Sequence, residues 1–180
     1  EEFDDAVRLL KMGTEPSETC QSWKRGQYNE CLLAYVADGD KKGMNVVSAT
    51  GEVLLRCVER ITESRADFSG TLDRTLVLEP PYTMTDHPRV FTALARLALN
   101  KADHLHARIE FSAGWSDVAM KCFASEAKAR GRTLEQDVQR EVRLTRSMNQ
   151  YNYSDTFGGK LEPYDGYHQR AMTVISAVAA

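Results

Sequence analysis

The sequence predicts an all-α fold, a bundle of about six helices joined by two irregular connecting stretches. Three observations carry that expectation. Between Asp86 and Arg130 the apolar residues Val90, Phe91, Leu94, Ala98, Leu105, Ile109, Val118, Ala119, Cys122 and Phe123 recur at steps of three and four, the helical period. Thr133-Leu134-Glu135-Gln136, just past Arg130-Gly131, has the order of a capping box that opens a further helix. The final stretch, Ala171–Ala180, has only Thr173 and Ser176 as polar residues, the composition of a helix buried on most of its sides.

Taken in order, Phe3, Ala6, Val7 and Leu10 predict a short amphipathic helix that stops before Gly13. Pro16-Ser17 starts a second, with Ser17 as N-cap and Glu18 favourable to the helix dipole; it carries Cys20, Trp23, Cys31, Leu32, Tyr35 and Val36. After the polar turn Asp38–Gly43, a third helix is expected from Met44 to Arg65, with Val46, Val47, Val53, Leu54, Cys57, Val58 and Ile61 facing inward. Asp67–Thr85 is the first irregular stretch, closed by Pro80-Pro81. Asp86 then caps the long helical segment, Pro88 sits in its first turn, and Gly114 breaks or bends it. The helix opened by Thr133 reaches Met148 on a narrow stripe of Leu134, Val138 and Val142. Asn149–Tyr164 is the second irregular stretch, and a C-terminal docking helix spans residues 165–180. The whole chain, 1–180, is read as one helical domain.

An apolar share of 42% with 27% charged residues belongs to a globular chain, and a net charge of -3 disfavours nucleic acid or an anionic membrane as partner of the whole surface. No apolar run is long enough for a membrane-spanning helix. Cys20, Cys31, Cys57 and Cys122 are too sparse for a disulfide scaffold and are expected as reduced thiols. A short fragment, Val36-Ala37-Asp38-Gly39-Asp40-Lys41-Lys42 through Val46-Val47, resembles a segment of phycobiliprotein beta chains. It has no counterpart of that family's chromophore-cysteine motif and implies no function here.

The chemistry-bearing motifs are sparse. Asp38–Gly43 opens like an EF-hand loop, but Lys42 and Ala49 stand where that loop needs oxygen ligands, so it reads as a solvated turn. Asp103, His106 and Glu110 share one helical face, and Asp165 with His168 repeats the Asp-x-x-His spacing, the way helical bundles assemble metal sites. That is the metalloenzyme alternative, for which Glu52, Glu59 and Glu63 are the spare carboxylates. No nucleophile elbow, phosphate loop or dinucleotide fingerprint is present, so neither catalytic residues nor a cofactor are expected. Lys121, Lys128, Arg130, Arg132, Arg140, Arg143 and Arg146 form a basic region over 121–146 that suits an RNA-contacting subunit, the other alternative.

The leading expectation is a non-catalytic subunit of a larger protein assembly. The partner-binding residues it assigns are Met172, Val174, Ile175 and Val178 on the last helix, with Tyr151, Tyr153, Phe157 and Tyr164 in the tyrosine-rich connection. A last helix wedged into a groove of this same chain is the competing explanation of that apolar surface. Arginine outnumbers lysine fifteen to eight and the chain opens on Glu1-Glu2 without methionine, which points to a processed, mitochondrial subunit.

Overall fold

In a computed structural model the chain is a mixed α/β protein, and the expected all-α helical bundle is overturned. The structure describes residues 1–14, 19–37, 39, 41–66, 70–111, 114–144, 153–154, 159–160 and 166–176. Among these, β1 (Glu2–Phe3), β2 (Lys41–Val47), β3 (Val53–Arg65), β4 (Asp73–Leu78), β6 (Arg108–Phe111), β10 (Gly166–Ile175) and β7 (Leu134–Leu144) lie side by side in that order. A two-residue strand, β5 (Tyr82–Thr83), adds to β3, and β8 (Tyr153–Ser154) pairs separately with β9 (Gly159–Lys160). Neighbours are antiparallel except β4 and β6, which run parallel with Thr75, Leu76 and Val77 opposite Arg108, Ile109 and Glu110.

The helices are α1 (Ala6–Lys11), α2 (Cys31–Ala37), α3 (Pro88–Leu105) and α4 (Asp117–Ala129). The expected third helix is the β2–β3 hairpin, turned through Ser48–Glu52 with Gly51 at φ 87°, a conformation that suits glycine. The helix expected from Thr133 is β7, and the C-terminal docking helix is β10. Only the end of the expected second helix is helical, as α2. The long segment from Asp86 survives as two helices: α3 stops at His106, whose left-handed backbone (φ 51°) forms the C-cap, and β6 intervenes before Gly114 (φ 107°) and α4. Pro88 does open α3, with His87 as N-cap; its Nδ1 accepts from the Arg89 amide at 3.2 Å.

Successive residues of a strand point to opposite faces, and the hydrophobic clusters follow that alternation. Leu55 and Cys57 of β3 join Met44, Leu76, Leu78, Ile109 and Phe111 under Phe91, Leu94, Leu99 and Phe123 of α3 and α4. Val58, one step away, faces the other side and packs with Phe3, Leu9, Met12, Cys31, Leu32 and Tyr35 beneath α1 and α2. A third cluster, Val77, Val142, Met172 and Val174, lies where β7 curls back to pair with β3 through Ser64–Val142 and Arg65–Glu141. That pairing closes β3, β4, β6, β10 and β7 into a ring. Among the described residues no helix is long and apolar enough to cross a membrane.

Gly43 of β2 is the tightest point of the α1–α2 face, because an added Cβ would collide with the Phe3 ring. Gly43→Ala therefore forces Phe3 out of its cluster and should cost about 1–3 kcal/mol in a denaturant titration. Gly39→Ala, with nothing within 4 Å of its added Cβ, should be near neutral. Equal stability of the two variants would contradict the β1–β2 register.

Candidate functional site

The densest set of ionisable side chains straddles one rung of the β2–β3 ladder. Lys41 pairs with Arg60 and Lys42 with Glu59. Each of these pairs shares a face, and because 41–42 and 59–60 are adjacent, the two pairs point to opposite faces. The sheet therefore carries charges through its thickness at this rung.

On the α3 face, Lys42 lies opposite Glu59, and Lys101 reaches down from α3 to donate to Glu59 Oε1. Lys101 Nζ also donates to Glu2 Oε1 at 2.6 Å, and Lys42 Nζ lies 3.4 Å from that same oxygen and 3.0 Å from Asp4 Oδ2. Glu59 is buried, and its Oε2 has no hydrogen-bond partner. Burial pushes its carboxyl up to about 7, against the pull of Lys101. Lys42 is held above its ordinary value, first by its contact with Asp4.

On the α1–α2 face, Lys41 and Arg60 are both basic and both buried, with Glu79 of the β4 end 3.8 Å from the Arg60 guanidinium. Burial, reinforced by Arg60 and opposed by Glu79, lowers the Lys41 ammonium to about 6. Farther along, Arg56 donates to Met12 O and Gln21 Oε1 and lies 4.8 Å over the Tyr82 ring. Tyr82 Oη is 2.6 Å from Cys20 Sγ. Arg56 is thus wired into the covering segment by hydrogen bonds rather than left to solvent.

The α3 side of the rung opens into a cleft. Glu2, Lys42, Ile61, Leu97, Asn100, Lys101, His104 and Leu105 line a recess of about 450 Å³ between the C-terminal half of α3 and strands β1–β3. Ile61, Leu97 and Leu105 give it aliphatic lining, and Lys42 and Lys101 converge on Glu2 within it, Lys101 standing one turn of α3 from each leucine. A smaller cavity of about 180 Å³ lies beside α1 and includes Arg8, which is already paired with Glu1 and Asp5.

The residues singled out from sequence are dispersed. Met172 and Val174 of β10 are buried in the ring cluster, and Ile175 is in the main core, covered by this chain's own side chains. Tyr153 lies on β8, while Tyr151, Phe157, Tyr164 and Val178 fall outside the described residues. Asp103 bonds Arg130 and Arg132 at 2.8 Å each, and His106 is an exposed helix cap. Glu110 lies inside the sheet, accepting from Ser64 at 2.6 Å and Arg140 at 2.9 Å; burial raises its carboxyl. His168 is on β10, and Asp165 falls outside the described residues. Among the described residues no three His, Cys, Asp or Glu side chains gather to hold a metal ion.

The basic region is similarly broken up. Lys121 and Lys128 are exposed on α4, Arg132 and Arg140 are buried with acidic partners, and Arg143 pairs with Glu63 at 3.2 Å. Arg146 falls outside the described residues. Arg130, Arg132, Arg140 and Arg143 are thus matched by carboxylates, while Lys121 and Lys128 stand exposed on α4. The four cysteines, all described, form no disulfide. No known protein family matches the chain, and neither does any curated protein or solved structure.

The Glu2–Lys42–Glu59–Lys101 set was not assembled from the sequence. Its signal was the adjacent charges Lys41-Lys42 and Glu59-Arg60, the latter between Val58 and Ile61-Thr62, which force charge onto both faces of any strand. Glu59 makes a pH prediction. Unfolded, it ionises near its ordinary 4.5; folded, only near 7. Its contribution to stability is therefore full below pH 4.5 and lost as pH rises to 7. Glu59→Gln should remove that decline, so denaturation at pH 4.5 and pH 8 should favour wild type at the lower pH relative to the variant. Parallel pH profiles would refute it.

Proposed function

We propose that the chain is a non-catalytic α/β domain that binds a small amphipathic molecule in the cleft between α3 and strands β1–β3. The observation that carries this reading is the meeting of an aliphatic wall, Ile61, Leu97 and Leu105, with two converging ammonium groups in one recess of about 450 Å³. Small-molecule sites combine a mostly apolar lining with a few placed polar groups, in volumes of about 300–1,000 Å³.

A second reading, the subunit of a larger assembly, is favoured by a different surface. Leu33 and Val36 of α2 are 45% and 40% exposed, on the side of the sheet away from α3, with Trp23 at 40%. Large aliphatic side chains left in water on a helix one turn apart suit a protein partner. A mitochondrial setting for that assembly rests on the arginine excess alone. The two surfaces are on opposite faces of the sheet, so the readings are compatible.

One titration addresses both. The anionic, apolar dye 8-anilinonaphthalene-1-sulfonate should bind the purified chain saturably at one site per chain. Leu97→Trp, which fills the cleft, should weaken that binding about tenfold or more. Sedimentation of the same samples reads the association state. Dye binding that ignores Leu97→Trp would overturn the cleft reading, and a strictly monomeric chain at high concentration would count against the assembly reading.

A further inference from the structure

One carboxylate oxygen at the cleft is shared by two ammonium groups. Glu2 Oε1 lies 2.6 Å from Lys101 Nζ and 3.4 Å from Lys42 Nζ, and all three residues line the recess. The side chains of Lys101 and Lys42 are only 11% and 27% exposed, so their contact with an anion is partly drawn out of water, where charge-assisted contacts strengthen. The position is therefore built to hold a carboxylate oxygen, and the chain fills it with one of its own.

Lys101 serves two acids of unequal standing. Glu59 has a fully buried side chain on the central strand β3, paired on both flanks, and cannot leave without opening the sheet. Glu2 has a side chain 29% exposed on β1, the outermost strand, and swings out into water by rotation about its own side-chain bonds. Its contact is one of partly exposed ions, worth roughly 1 kcal/mol or less. An incoming anion with its own apolar contacts can outcompete such a contact.

We infer that the cleft takes a ligand with a carboxylate head and an aliphatic tail, and that Glu2 is the internal stand-in for that head. The ligand's carboxylate takes the place of Glu2 Oε1 between Lys42 and Lys101, and its tail lies against Ile61 and Leu97 beside them. Exchange is non-covalent: one carboxylate replaces another on the same two ammonium groups. The inference rests on the cleft reading and goes beyond it in naming the ligand class and the group that competes for its place.

The test is calorimetric titration of wild type, Glu2→Gln and Leu97→Trp with decanoate and, as the uncharged counterpart, 1-decanol. Removing the competing charge should tighten decanoate binding by roughly threefold while leaving decanol unchanged. Leu97→Trp should weaken both. If Glu2→Gln leaves decanoate binding unchanged or weaker while Leu97→Trp still abolishes binding of both, the stand-in role is wrong and the cleft reading survives. If neither compound binds wild type or Glu2→Gln, or if Leu97→Trp makes no difference, both the inference and the cleft reading fall.

Discussion

The rung where β2 meets β3 is the constraint on which the rest of the structure depends. Lys41 and Lys42 are consecutive, as are Glu59 and Arg60, so pairing these strands in this register buries charge on both faces of the sheet. Buried charge is tolerated only with partners, and each partner comes from a different element: Glu2 from β1, Glu79 from the end of β4, Lys101 from α3. The rung thereby specifies where those elements lie. Removing a fully buried member such as Glu79 leaves an uncompensated buried charge, typically a loss of about 3–5 kcal/mol, whereas the partly exposed Glu2 contributes far less. A register slip of one residue would exchange the Lys41–Arg60 and Lys42–Glu59 faces and strand every one of them.

The same logic recurs at the far end of β3. Ser64, Thr75, Glu110 and Arg140 meet inside the ring closed by β7, with Ser64 Oγ 2.7 Å from both Thr75 Oγ1 and Arg140 Nη2. Four strands contribute one residue each: β3, β4, β6 and β7. Apolar clusters supply most of the burial, yet hydrophobic contact is non-directional and cannot by itself select this closure. The polar sets at the two ends of β3 can. The outer part of β7 is guarded in another way: opposite the β10 irregularity at Met172/Val174, Asp137 takes a left-handed φ of 55°, a bulge that disrupts the edge.

Helices were legible where one face alone is buried. In α3, Val90, Phe91, Leu94, Ala98, Leu99 and Ala102 recur at three and four, and α3 and α4 both lie within the stretch that the period marks out. Strands were misread for two physical reasons. The step of four from Leu134 to Val138 to Val142 returns to one side of a helix and also to one side of a strand, so the period did not discriminate. In β3, Leu55 and Cys57 face one cluster and Val58 the other; with both faces covered, strict alternation disappears and a mixed apolar run remains. The β-branched content of Val46, Val47, Val53, Val58, Ile61 and Thr62, with the Thr50-Gly51 turn between, was the signal for a hairpin. The apolar end of β10 is extended, with Met172, Val174 and Ile175 buried in this chain's own clusters rather than on a helix. The cleft was out of reach, because Glu2, Lys42, Glu59 and Lys101 are brought together by topology rather than by spacing.

The most direct test of the charged rung is the ionisation of Lys41, which is buried on β2 opposite Arg60. Following its side-chain nitrogen resonance against pH in the lysine-labelled protein reads that state without a mutation. Burial beside Arg60 in this register gives a midpoint well below the ordinary 10.5, lowered to about 6. A midpoint near the ordinary 10.5 would mean that Lys41 stands in water, and that β2 and β3 do not pair in the register that buries it.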